Sequence, residues 1–135
     1  MPVAIPPDDL SISDEEMLYV RVYPTPDALV PVEGTDQHRA GSGALRRPGD
    51  PLSADLGSLC TPKDTQQRAG IDRAYHVAAF SAGAVRRAGC RVTRDPVEGN
   101  AAHALVWGDH QAGDGALSMK QTKLIAKESR IVLVV

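Results

Sequence analysis

Aromatic residues are scarce in this sequence: Tyr19, Tyr23, Tyr75, Phe80 and Trp107 make up 4% of its 135 positions. A core assembled mainly from Val, Leu and Ala has few large anchors, so each aromatic is expected to fill a structurally important place. Cysteine is scarcer still. Cys60 and Cys90 form no CxxC pair and supply no disulfide framework of the kind small secreted domains need. They read as buried reduced thiols, with a Cys60–Cys90 disulfide left open. A dominant charge is also missing, since the net value is −2 and the pI about 6.0, which gives no global electrostatic reason to bind nucleic acid or an anionic membrane. No run approaches the roughly 18 apolar residues of a membrane span. The opening MPVAIPPDDL lacks the basic and apolar regions of a signal peptide, so the expected location is cytoplasmic.

What is present is ordinary globular material. Hydrophobic residues make up 42% and charged residues 24%, and the length suits one domain with one core. Residues 1–16, with three prolines and Asp8, Asp9, Asp14, Glu15 and Glu16, are expected to be a poorly ordered acidic tail. A single domain is expected over 17–135, carrying a long polar loop at 24–51.

Local patterns give the elements. MLYVRVY alternates Leu18, Val20 and Val22 against Tyr19, Arg21 and Tyr23, a strand signature, and Pro24 and Pro26 stop it. PLSADLGSL alternates Leu52, Ala54 and Leu56 against Ser53, Asp55 and Gly57, which suits a half-buried strand. In CTPKDTQQRAG, Thr61 as N-cap, Pro62 at the first helical position and Asp64 in a capping box predict a helix to about Ala69, with Gly70 as terminator. AYHVAAF then SAGAVRRAG predicts strand then helix, capped by Ser81 and ended by Gly89. CRVTRDPV and AAHALVWG are further strands. SMKQTKLIAKESR is a helix with Ser118 and Gln121 in a capping box, and IVLVV reads as a strand buried on both faces. The sum is an α+β fold, a single mixed β-sheet of five or six short strands with about three short helices mainly on one face.

EGNAAHALVWGDHQAGDG gathers His103, Trp107, Asp109 and His110 around one apolar run. If residues 102–107 are extended, His103, Leu105 and Trp107 share a face, so His103 reads as a core-edge histidine and the GDHQAGDG segment as a turn. The spacing matches no metal signature, so neither a metal nor a cofactor is expected. FSAGAV places Ser81 between strand and helix but lacks the GxSxG pattern of a nucleophile elbow, and capping explains the serine. Arg86, Arg87, Arg91 and Arg94 form a basic group that could bind nucleotide or RNA. Arg21, Ser53 and His103 (or Glu98) are distributed loosely as in ADP-ribosyltransferase-type enzymes, which makes the three candidate catalytic residues of a small transferase or hydrolase. His103, Trp107, Arg91 and Arg94 are the candidate binding residues.

LYVRV at 18, LSADL at 52, CTPKDT at 60 and NAAHALVWG at 100 together resemble the pattern of a family of small uncharacterised bacterial proteins, over most of the chain after the acidic tail. The resemblance implies a free-standing small domain and brings no catalytic assignment. The Ala, Arg, Gly and Pro bias suits a GC-rich genome. The leading expectation is a non-enzymatic accessory protein that presents the 24–51 loop and a sheet edge to a protein partner. The transferase or hydrolase comes second and nucleic-acid binding third, with oligomeric state open.

Overall fold

A computed structural model describes residues 3–68, 70 and 74–135. Among the described residues, eight strands and three α-helices follow one another: β1 (Met17–Val22), β2 (Leu29–Pro31), β3 (His38–Ala40), β4 (Leu52–Leu56), α1 (Pro62–Gln67), β5 (His76–Ser81), α2 (Ala82–Arg87), β6 (Arg91–Arg94), β7 (His103–Trp107), α3 (Met119–Glu128) and β8 (Arg130–Leu133), with a 3-10 turn at Ser42–Leu45. Six strands form one sheet in the order β6-β7-β4-β1-β5-β8, and β2 and β3 form a separate hairpin. The fold is α+β.

The sheet is antiparallel throughout, where a mixed one was expected. The two strand–helix–strand units do connect parallel strands, but not neighbouring ones. Between β5 and β6 lie β1, β4 and β7, and between β7 and β8 lie β4, β1 and β5. Helical crossovers therefore exist without parallel ladders.

Alternation divides the sheet into two faces. Leu18, Val20, Leu52, Ala54, Leu56, Ala78, Phe80, Val92, Ala104 and Val106 face inward and form the main core with Val85 of α2, Ile125 and Ala126 of α3, and Leu45. On the opposite face Val77 and Ala79 are also buried, under α1, which packs on β1, β5 and β8. The caps form as the sequence indicates: Thr61 with Asp64 and Ser118 with Gln121 make capping boxes, and Ser81 accepts the Ala84 N–H. The predicted end of α1 at Ala69 lies outside the described residues. β8 differs from expectation. It is an edge strand with Val132 exposed, because an unbroken apolar run does not reveal how many neighbours a strand has. The main-chain N–H of Val135 donates to His76 Nδ1 at 3.1 Å, and burial holds that imidazole below its ordinary pKa, in the neutral form that can accept.

Two segments read as peripheral are packed. Residues 24–51 contain the β2–β3 hairpin and the 3-10 turn, and they place Ala28, Ala40 and Leu45 in the core with no exposed surface. A Cβ on Gly41 would fall on the main-chain oxygen of Asp27, so this close approach of backbones needs glycine. The segment before β1 runs beside β6: Asp9 N–H donates to the Val92 carbonyl, the Asp8 carboxylate accepts the Val92 N–H, and Ile12 is 2% exposed within the core. The expected solvated tail is in this respect a covering for a sheet edge, which removes unpaired backbone groups from water.

Candidate functional site

The face of the sheet opposite the main core carries a polar cluster, and strand register creates it. Tyr19 of β1 pairs with Asp55 of β4, and Asp55 pairs with His103 of β7, so these three side chains stand in one row. Ser53 lies one same-face step along β4, opposite Leu105, and Arg21 lies one same-face step along β1. Tyr19, Arg21, Ser53, Asp55, Thr65 and His103 line a pocket of about 10 Å³. That is near the volume of a single water. The three residues singled out as catalytic candidates are thus brought together, while Glu98 is exposed on the turn before β7 and does not line the pocket.

Asp55 forms the floor and is only 2% exposed. Its Oδ2 accepts from Thr65 Oγ1 at 2.7 Å and from Arg68 Nε at 3.2 Å, and its Oδ1 accepts from Asn100 Nδ2 at 2.8 Å. A buried carboxylate so surrounded has both oxygens satisfied and ties α1 and the 97–100 turn to the sheet. The period-two reading places Asp55 on the solvent side of β4, and in fact α1 covers it. Thr65, Arg68 and Asn100 carry no sequence signal for this role. The only legible hint is that Asp55 shares a face with Ser53.

His103 is 19% exposed in its side chain, and its Nδ1 lies 3.0 Å from both the carboxylate and the main-chain carbonyl of Asp95. Both partners are acceptors, so Nδ1 is the nitrogen that donates to them, and Nε2 makes no hydrogen bond among the described residues. Ser53 is exposed, and its hydroxyl has no hydrogen bond among the described residues. Arg21 spends Nη1 on the Thr65 carbonyl at 3.3 Å, and its main chain is braced by Arg47, which donates to the Arg21 carbonyl at 2.8 Å and lies over the Tyr23 ring. The four segments LYVRV, LSADL, CTPKDT and NAAHALVWG meet here, contributing Tyr19 and Arg21, Ser53 and Asp55, Thr65, and Asn100 and His103 respectively.

The other candidates are committed elsewhere. Trp107 Nε1–H donates to Thr93 Oγ1 at 2.9 Å. Arg86 pairs with Asp8 at 2.9 Å and Asp14 at 2.7 Å, Arg94 lies 3.5 Å from Asp9, and Arg91 donates to the Ile5 and Pro6 carbonyls. The acidic segment therefore supplies the counter-charge for Arg86 and Arg94, and Glu128 that for Arg87 at 2.6 Å, which weakens any case for a nucleic-acid surface there. His110 accepts the Ala112 N–H within a compact turn at 108–117. Cys90 is buried, and burial pushes its thiol up to about 12, whereas Cys60 is half-buried and donates to the Leu56 carbonyl. No helix among the described residues is long and apolar enough to cross a membrane.

A second concavity is much larger. An open groove of about 1090 Å³ is lined by Val30, Pro31 and Val32, by Gly41–Ala44, and by Arg39, Lys123 and Lys127. Most of its wall comes from the 24–51 segment. No protein-family profile, curated protein or solved structure matches the chain.

Proposed function

We propose that the chain is a small hydrolase or transferase whose nucleophile is the Ser53 hydroxyl, with His103 as general base and Asp95 as the group that orients it. One observation carries the reading: Arg21, Ser53 and His103, far apart in sequence, line one pocket in which Asp95 already holds the His103 ring by Nδ1. A serine beside an oriented imidazole is the arrangement that activates a hydroxyl at neutral pH. Oγ attacks an acyl or phosphoryl centre while its proton passes to Nε2, and the leaving group departs with that proton. Water then reverses the sequence and frees the serine. Exposed Ser53 lets the substrate approach from solvent, so the small pocket needs to admit only the reacting group.

A fluorophosphonate probe, which forms an Oγ–P bond with loss of fluoride, tests this. Labelling should map to Ser53, vanish in Ser53→Ala and fall by about 10²-fold or more in His103→Gln, the usual scale for losing a general base. A wild-type chain that takes up no probe at Ser53 counts against the enzyme.

The groove favours a second reading, an interaction domain that receives an extended segment of another protein, as the length of 24–51 first suggested. Lys123 and Lys127 are exposed on α3, so reversing both charges should leave the melting temperature nearly unchanged and sharply weaken recovery of any partner. A partner retained undiminished by Lys123→Glu/Lys127→Glu would dismiss the groove.

A further inference from the structure

The pocket also indicates what its substrate carries. The one carboxylate lining it and the one behind its histidine are spent: Asp55 takes three hydrogen bonds, one from the Arg68 guanidinium, and Asp95, outside the pocket, takes the His103 Nδ1–H. Arg21 is different. Among the described residues it pairs with no carboxylate, gives one Nη1–H to the Thr65 carbonyl at 3.3 Å, and keeps Nε and Nη2 without a partner. A half-buried guanidinium presents a planar fork matched to a carboxylate or phosphate.

Resting on the enzymatic reading above, we infer that the substrate of this site bears an oxyanion, a carboxylate or a phosphate, which Arg21 grips next to the reacting group. The charge arithmetic is local and simple. With Asp55 matched by Arg68 and Asp95 turned to His103, Arg21 is the pocket-lining charge left without a counter-ion among the described residues, and the attraction acts where water is partly excluded and screening is weak.

The experiment is protection of Ser53 from the fluorophosphonate probe by inorganic phosphate, phenyl phosphate and benzoate, each in the wild type and in Arg21→Gln. An oxyanion bound at about 1 mM and supplied at ~10 mM should slow labelling about tenfold, by simple occupancy. Arg21→Gln should still label and should lose that protection. Benzoate alone protecting assigns a carboxylate, and either phosphate alone assigns a phosphate. The inference is overturned if Ser53 labels but none of the three slows it, or if Arg21→Gln is protected as well as the wild type. Failure of the wild type to label at all is a separate result, which removes the enzymatic reading and this inference with it.

Discussion

Replacing Asp55 by alanine is expected to cost about 3 kcal/mol and to lower the melting temperature by roughly 10 °C, measured by thermal denaturation followed by circular dichroism. The carboxylate is 2% exposed and accepts from Thr65, Arg68 and Asn100 at once. Without it a hydroxyl, a guanidinium and an amide lose their acceptor together, and a buried donor left unpaired costs more than the bond was worth. Partial exposure of the Arg68 side chain, 26%, lets water rescue that one group and keeps the loss near the lower end of the range for a broken buried pair. Asp55→Asn retains the volume and one accepting oxygen, so it should lose markedly less. A loss below about 1 kcal/mol in the alanine variant would mean that the cluster does not hold α1 on the sheet.

Excising residues 33–47 should abolish cooperative unfolding altogether. From sequence the segment reads as part of a long polar loop, but it contributes Ala40 and Leu45 to the core, and the Ala40 N–H donates to Ser129 Oγ at 3.0 Å. It also takes away Arg47, which anchors β1 through the Arg21 carbonyl. Truncating one buried leucine costs about 2–5 kcal/mol, and a whole domain is stable by roughly 5–15 kcal/mol. Losing the leucine, the alanine and two anchoring hydrogen bonds in one step consumes most of that margin. Near-ultraviolet circular dichroism and the heat-capacity trace decide it: an excised chain melting within a few degrees of the wild type would show that the segment is peripheral after all.

The site lies between these extremes of legibility. Arg21, Ser53 and His103 stand out in the sequence because each is a reactive side chain on a readable strand, and alternation puts Arg21 and Ser53 on faces away from their own apolar neighbours. Their convergence is not readable there, because it depends on β4 lying between β1 and β7 and on the register that sets Asp55 opposite both Tyr19 and His103. Asp95 escapes notice for the same reason. It follows β6 and meets His103 only because β6 and β7 pair. The expected mixed sheet gives way to an antiparallel one for a similar reason, since helical crossovers are visible in sequence and the strands between their ends are not.

By itself the sequence determined the pieces whose causes are local. Thr61, Ser81 and Ser118 cap helices through bonds three residues long, and period-two alternation chooses the buried side of β1 and β4 within a single strand. Tertiary structure alone decided everything that joins distant residues: Asp55 to Asn100 across 45 positions, Arg86 to Asp8 across 78, and the acidic leading segment to the edge it covers. The physical reason is that a buried charge or an open sheet edge must be satisfied by whichever group the packed core carries to it, and that choice is made by the whole chain at once.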